Sequence, residues 1–130
     1  QLTTFIFTKR IIEGKEIEVF NKGKMKRDFT FIDDIVDGIM GSVNLKIKFG
    51  HRIYNLGNNN PEDLSNFINL IEETLGIKAK KKLLPIQPGD VKETFAEISE
   101  STKDLNFMPK VNIEEGIPKF IQWYKSYYGI

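Results

Sequence analysis

The sequence of 130 residues contains no cysteine and a single histidine, His51. Disulfide bonds and thiolate metal sites are therefore excluded, and so is a catalytic or metal-binding pair of histidines. Neither sign of charge is in excess, because the formal net charge is +1, which argues against a broad surface for a polyanion. With 40% hydrophobic and 28% charged residues, the composition is typical of one folded domain of ordinary size.

Long apolar runs are also missing. No stretch approaches the roughly 20 apolar residues that a membrane span needs, and no signal-peptide pattern opens the chain. We therefore expect a cytoplasmic protein without a membrane span. The sequence begins with Gln1 rather than Met, and we expect it to be a fragment or a processed chain.

Several motifs that would define a self-contained active site do not occur. The sequence has no GxxxxGK[ST], no GxGxxG, no GxSxG and no HExxH. The acidic pair Asp33 and Asp34 is a candidate for catalysis by paired carboxylates, but helix capping accounts for Asp33 and solvent exposure for Asp34. We predict no catalytic residue and no metal site in this chain.

Helix and strand patterns alternate along the chain, which indicates a small α/β domain of mixed order. The predicted helices cover 3–13, the residues after Asp33, those from Pro61 to Gly76, 99–105 and the residues after Asn112. The predicted strands are all short and cover 17–20, 29–32, 52–56, 83–85 and 93–96. So small a sheet leaves apolar surface uncovered, and we expect part of the chain to pack on something absent.

Two helices carry clear amphipathic patterns. In the helix that Asp33 is predicted to cap, the expected buried face consists of Ile35, Val36, Ile39 and Met40. In the helix from Pro61 to Gly76, the expected buried stripe consists of Leu64, Phe67, Ile68, Ile71 and Leu75.

Arg27 is the first candidate for binding chemistry. It stands at the edge of a short predicted strand, beside a turn built on Gly23. A guanidinium offers a fixed fork of donors to phosphate oxygens, so this position suits a phosphate clamp. The alternative is an ordinary surface arginine among neighbouring lysines.

Four other features have both a binding and a structural interpretation. Asp90 can accept hydrogen bonds from ribose hydroxyls or from its own turn backbone. The loop 57–60 either presents N–H groups to an anion or forms a left-handed turn. Phe20 can face a base or lie in the core. The lysine run 78–82 can bind nucleic acid or form a solvated edge that discourages sheet pairing.

Four segments, in this order, resemble a known family. They are GKMKRDFTFIDD at 23–34, YNLGN at 54–58, LPIQPGDVKET at 84–94, and EEGI at 114–117 with WY at 123–124. Together they are similar to the extended short-chain dehydrogenases/reductases that act on nucleotide sugars. Within that group they resemble the UDP-glucuronate 4-epimerase branch of the NAD-dependent epimerase/dehydratase family.

The resemblance implies that residues 1–130 are the C-terminal, UDP-sugar-binding domain of an extended Rossmann-fold enzyme, with the nucleotide-binding sheet largely missing. The N-terminal NAD-binding domain, with its glycine-rich motif and Tyr-x-x-x-Lys pair, would be absent from this chain. The isolated chain is then expected to be inactive. The implied parent is an isomerase with NAD as cofactor that works in polysaccharide biosynthesis. Because apolar surface is expected to be uncovered, we also expect a homo-oligomer.

The resemblance also implies roles for particular residues. Arg27 is expected to bind the diphosphate and Asp90 the ribose hydroxyls. Gln87 stands where several relatives carry a second arginine, and it can hydrogen-bond to the diphosphate without bringing a charge. The residues expected to flank the uracil, in part through backbone groups, are Ile17, Glu18 and Phe20.

The resemblance leaves the sugar open. Interconversion of UDP-glucuronate and UDP-galacturonate is the first interpretation. A UDP-glucose 4-epimerase and a sister dehydratase or decarboxylase are the alternatives. A different class is a non-catalytic binding module that uses the lysine edge at 78–82. The low net charge and the lack of interleaved aromatic residues count against nucleic acid as its partner.

Overall fold

The computed structural model describes residues 2–46 and 50–130. Its helices are α1 (Leu2–Ile12), α2 (Ile32–Asn44), α3 (Leu64–Leu75), α4 (Ser99–Leu105) and α5 (Ile113–Tyr128). Its strands are β1 (Glu16–Val19), β2 (Lys26–Asp28), β3 (Pro61–Asp63) and β4 (Lys80–Leu83), and a 3₁₀ turn covers Phe20–Gly23. The predicted mixed α/β class is confirmed.

The described strands form two small sheets. β1 and β4 pair in parallel, with Ile17 opposite Lys81. β2 and β3 pair antiparallel, with Arg27 opposite Glu62. Along β1 exposed and buried residues alternate, so one face of this strand contributes to the core while the exposed strand β4 lies at its edge.

The core lies where α1, α3 and α5 pack with β1. The predicted stripe of α3 is confirmed: Leu64, Phe67, Ile68 and Ile71 are buried, and Leu75 packs against them. Gly76 ends the helix in the left-handed conformation, at φ 69°. α5 begins after Asn112, whose side chain accepts the N–H of Glu115 at 3.1 Å, as the capping pattern predicts. None of the described helices is long and apolar enough to cross a membrane.

Three predicted element boundaries are wrong. β2 ends at Asp28 rather than covering 29–32, because Phe29 leaves the strand and stacks on Phe67 at 3.9 Å between ring centroids. α2 then begins at Ile32, so Asp33 lies in its first turn rather than at the cap. α3 begins at Leu64 instead of Pro61, since Pro61 pairs with Asp28 in the β2–β3 sheet.

Three predicted strands also differ from the described structure. Residues 52–56 form none, because no neighbouring described strand pairs with them. Residues 93–96 contribute only an isolated bridge between Glu93 and Lys26. The edge strand β4 starts within the lysine run and ends at Leu83 rather than covering 83–85.

The buried face predicted for α2 is wrong. Its apolar residues form a stripe that is between 46% and 70% exposed, made of Ile32, Val36, Ile39, Met40 and Val43. Ile35 is half-buried, and the helix packs instead through Asp34 and Gly38. A Cβ on Gly38 would lie 2.5 Å from Cδ2 of Leu56, so a larger residue would require Leu56 to move. The expected uncovered apolar surface is thus confirmed on α2.

Asp34 is not the solvent-exposed carboxylate that the sequence suggested. Its side chain is buried and accepts the N–H groups of Lys110 and Val111, each at 3.0 Å. Since both donors belong to the segment before α5, Asp34 fastens that segment to α2. This contact accounts for its burial without a catalytic role.

Candidate functional site

Two of the predicted site residues contact each other. Nη2 of Arg27, on β2, lies 2.9 Å from Oδ1 of Asp90, which is 63 positions later in the chain. Their side chains are 18% and 31% exposed, so the ion pair is accessible from solvent. The structure therefore brings together the arginine predicted to bind phosphate and the aspartate predicted to accept from ribose hydroxyls.

The guanidinium of Arg27 is held by main-chain groups as well. Its Nη1 donates to the carbonyl of Lys26 at 2.8 Å and to that of Lys92 at 3.3 Å. Oδ1 of Asp90 also accepts the N–H of Val91 at 2.9 Å. Among the residues that the structure describes, the second carboxylate oxygen of Asp90 has no hydrogen-bond partner.

Gln87 and Asp90 lie on a loop, residues 84–94, which we call the closing loop. Its start is fastened to β1 and the 3₁₀ turn, because Leu84 donates to Val19 at 3.0 Å and accepts from the Lys22 N–H at 3.1 Å. A turn joins the Asp90 N–H to the carbonyl of Gln87 at 3.1 Å, with Gly89 at φ 80°. Gln87 itself is exposed.

The three residues expected near the uracil are placed differently from one another. Ile17 is fully buried in the core, so only its backbone is available to a ligand. Glu18 is exposed on the other face of β1. Phe20 packs against the core with part of its ring exposed. Ile17 and Glu18 lie on β1 and Phe20 begins the 3₁₀ turn, and both elements are hydrogen-bonded to the start of the closing loop.

Asp28 is a site residue that sequence reasoning missed. Its Oδ1 accepts the N–H of Asn58 at 3.1 Å, and its Oδ2 accepts those of Asn59 at 3.0 Å and Ala96 at 2.9 Å. Two N–H groups of the loop 57–60, which was a candidate for binding an anion, are thus bound to a carboxylate. Asn59 has φ 53°, which confirms the left-handed turn. No local motif signals this role, because the three donors are backbone groups far away in sequence.

Gly57 permits the close approach of these segments. A Cβ at this position would clash with Cβ of Ala96 and would lie 3.0 Å from Oδ2 of Asp28. Residues 57 and 96 therefore lie so close together that a side chain at position 57 would have no room.

A second cluster anchors the segment 52–56 to α4. Asp104 accepts hydrogen bonds from Nη1 of Arg52 at 2.7 Å and from the Tyr54 hydroxyl at 2.9 Å. The hydroxyl of Ser101 donates to the carbonyl of Asn55. These contacts hold in place the segment that leads into the loop 57–60.

The candidate site residues lie on an open surface. An apolar cleft of about 680 Å³ lies beside them between α2, residues 94–96 and α5, and Asp28 and Gly57 line it. A second cleft of about 590 Å³ is lined by Lys24, Lys26 and Lys92 among others. Arg27 and Asp90 line neither of these clefts in the described part of the chain. No group of three or more His, Asp or Glu side chains within 2–46 and 50–130 is placed to hold a metal ion.

The lysine run has a structural role. Glu72, which is 3% exposed, lies 3.1 Å from Nζ of Lys78 and 3.0 Å from Nζ of Lys81, and accepts the Ala79 N–H at 2.9 Å. Burial would raise the pKa of Glu72, but these hydrogen bonds and charges outweigh burial and hold its pKa below the ordinary value of 4.5. Lys81 thus fastens β4, and Lys78 the segment before it, to α3, which favours the structural interpretation.

Comparisons with known proteins bear on the family of the chain. The model of the NAD dependent epimerase/dehydratase family matches residues 3–57. A protein of Methanocaldococcus jannaschii is 53% identical over 120 residues, which cover 92% of this chain and 36% of that protein. UDP-glucuronate 4-epimerase 5 of Arabidopsis thaliana is 40% identical over 139 residues, with 95% and 32% covered.

A solved structure is similar over nearly the whole chain. It is the UDP-glucuronic acid 4-epimerase of Bacillus cereus in complex with UDP-glucuronic acid and NAD. The TM-score is 0.86 at 28% identity, and the match covers 96% of this chain and 40% of that one.

The chain is similar over nearly its whole length to members of the NAD-dependent epimerase/dehydratase family, whose model matches residues 3–57. Within it, the chain is similar to UDP-glucuronate 4-epimerases, and its fold is that of one part of such an extended Rossmann-fold enzyme. The family assignment made from the four segments is confirmed. The chain spans about a third to two fifths of the length of these relatives.

Proposed function

We propose that this chain is the UDP-sugar-binding part of an NAD-dependent nucleotide-sugar 4-epimerase, an isomerase that interconverts UDP-glucuronate and UDP-galacturonate. The observation that carries the proposal is the contact between Arg27 and Asp90, 2.9 Å apart on an accessible surface. It places a phosphate-binding cation next to a carboxylate that can accept from ribose hydroxyls, and these two parts of UDP are covalently adjacent.

The contacts of Arg27 and Asp90 suit exchange with such a ligand. A phosphate oxygen is a stronger acceptor for a guanidinium than a neutral carbonyl is. A diphosphate would therefore displace the long bond from Arg27 to the carbonyl of Lys92, at 3.3 Å, before the shorter ones. The second oxygen of Asp90 would take a ribose hydroxyl, and Gln87 would add an uncharged donor on the same loop.

NAD does not fit the residues that this chain supplies. The sequence contains neither the glycine-rich dinucleotide motif nor a Tyr-x-x-x-Lys pair. Bound NAD would supply hydride exchange at C4 of the sugar, and we assign its binding to the rest of the protein. The residues of this chain would hold the nucleotide while the sugar turns between its two faces. We therefore expect the isolated chain to be inactive.

Calorimetric titration of the chain with UDP tests this proposal. We expect binding by the wild type and a loss of at least about tenfold in affinity for Arg27→Ala, because a charge-assisted contact is removed. Arg52→Ala is the matched control, since Arg52 also forms an ion pair, with Asp104, at 2.7 Å. Equal UDP affinity for Arg27→Ala and the wild type would contradict the assignment of Arg27.

Comparing the affinities of several nucleotide sugars for the same chain tests which sugar it binds. We expect UDP-glucuronate to bind more tightly than UDP-glucose or dTDP-glucose, as a glucuronate epimerase requires. A preference for UDP-glucose would favour the UDP-glucose 4-epimerase alternative, and a preference for dTDP-glucose a dehydratase. We also propose that the whole protein is a cytoplasmic homo-oligomer that serves polysaccharide biosynthesis. Light scattering of the whole protein tests its oligomeric state.

A further inference from the structure

We propose that Asp28 is a positioning residue that sets the place of Arg27 and of the closing loop. It would do so by fastening two distant segments to the strand that carries Arg27. The inference rests on the proposed function, because it concerns the geometry of the residues that would bind UDP.

The carboxylate of Asp28 joins three parts of the chain through backbone hydrogen bonds alone. Two of its donors, Asn58 and Asn59, lie in the loop 57–60, and the third is Ala96, 68 positions after Asp28. Hydrogen bonds to a charged acceptor are stronger than neutral ones, so one carboxylate holds both segments firmly. Its removal would leave three N–H groups without an acceptor, two of them partly buried.

Asp28 acts from the face of β2 opposite Arg27. Successive side chains of a strand point to opposite faces, and no hydrogen bond joins the two side chains among the described residues. The link runs through the backbone of residues 90–96. Asp90 is held by the guanidinium of Arg27, and Lys92 and Thr94 are bound to the backbone of Lys26 at 2.8 and 3.2 Å.

Ala96 is therefore the last of several attachments along one segment. With Asp28 in place, residues 90–96 are held against β2 from the ion pair at one end to the carboxylate at the other. Without it, the far end would be tied by the backbone bonds of Lys26 and, one residue further on, by the bond from the Asn55 side chain to the Glu97 carbonyl. The position of Asp90 beside Arg27 would then be less defined, although Asp28 contacts neither side chain.

The absence of a side chain at Gly57 is independent support for a tight junction. A Cβ there would clash with Ala96 and crowd Oδ2 of Asp28. The loop 57–60 and residue 96 are thus pressed together at the point where the carboxylate binds both.

The test compares Asp28→Asn with Asp34→Asn in the chain, by nuclear magnetic resonance and UDP titration. Asp34 is the matched control, because its buried carboxylate also accepts two backbone N–H groups, at 3.0 Å each, in another part of the fold. For Asp28→Asn we expect faster amide exchange at Asn58, Asn59 and Ala96, a displaced Arg27 Nε–H signal, and UDP affinity reduced about tenfold.

For Asp34→Asn we expect faster exchange at Lys110 and Val111, with the Arg27 signal and UDP affinity unchanged. A residue with a merely structural role would lower the melting temperature without moving the Arg27 signal. The proposal is overturned if Asp28→Asn leaves that signal and the Ala96 exchange rate as they are in the wild type.

Gly57→Ala provides a second test should Asp28→Asn fail to fold. Its added methyl group would push the loop 57–60 away from Ala96 without altering the carboxylate, and we expect the same displaced Arg27 signal. If the wild-type chain does not bind UDP, the proposed function fails for this chain. The exchange rates and the Arg27 signal then still decide whether Asp28 positions the segment.

Discussion

α2 and α3 carry similar apolar stripes and use them in opposite ways. α3 buries its stripe, with Phe67, Ile68 and Ile71 almost fully removed from solvent. α2 leaves its stripe exposed and packs through Asp34 and Gly38 on the other side. An amphipathic pattern therefore marks the apolar face of a helix, but it does not tell whether other residues of the same segment of chain bury that face.

The largest expected effect is on stability, when the same substitution of isoleucine by alanine is made in each of the two stripes. Ile71→Ala should lower the free energy of unfolding by about 2–5 kcal/mol, because it leaves a cavity in the core. Ile39→Ala removes the same atoms from a residue that is 48% exposed, and it should cost less than about 0.5 kcal/mol. Urea denaturation of both variants measures the difference. Similar costs would show that the stripe of α2 is covered in solution.

Gly38→Ala tests the packed face of α2. Alanine favours a helix over glycine by roughly 1 kcal/mol, so propensity alone would stabilise the protein. The added Cβ would lie 2.5 Å from Leu56 and 3.1 Å from Phe107. We expect this overpacking to outweigh the helix propensity and to lower the free energy of unfolding by about 1–3 kcal/mol. A raised melting temperature would be the contrary result and would mean that Leu56 can move aside.

Glu72, on the buried side of α3, makes the stability of the protein depend on pH. Because its pKa is lowered in the folded state, its contribution to stability is present above the unfolded-state pKa and is lost as pH falls through the folded-state pKa, below 4.5. Glu72→Gln should lower stability by about 1–2 kcal/mol near neutral pH and should flatten the acid limb of the stability curve. Denaturant unfolding as a function of pH measures both effects, and an unchanged acid limb would contradict the assignment.

The smallest expected effect on folding concerns the exposed stripe itself. Ile39→Glu should change the free energy of unfolding by no more than about 0.5 kcal/mol, since this side chain is half in solvent. It should nevertheless reduce self-association of the chain at high concentration, because an exposed apolar patch promotes contact between copies. Light scattering over a concentration series checks this, with Glu114→Gln on α5 as a surface control. Undiminished association would place the contact elsewhere.

Local sequence patterns predicted those features of the fold that are determined by neighbouring residues. The α3 stripe, the Gly76 stop and the Asn112 cap all depend on residues within one helix. The pairing of Pro61 with Asp28 overrode the usual preference of proline for a helix start, because a strand partner 33 positions away was available. Such long-range pairing leaves no signal in the residues around Pro61.

The candidate site was predictable only in part. A basic residue beside a glycine turn and an Asp in a Pro-Gly-Asp loop mark Arg27 and Asp90 as candidates, and the contact between them is new information from the structure. Asp28 could not be found in the same way, because it binds N–H groups, which every residue except proline carries. The burial of Asp34 was hidden for the same reason.

The separation of these contacts along the chain has a consequence for how the site forms. The ion pair joins residues 63 positions apart, Asp28 and Ala96 are 68 apart, and β1 pairs in parallel with β4. Contacts of such range must repay the entropy of closing a long loop, so the site forms only once distant segments have come together. A chain emerging from the ribosome would have α1 and α3 before it had any site. In the finished molecule, local opening of residues 84–96 would abolish the site while the three-helix core stayed intact.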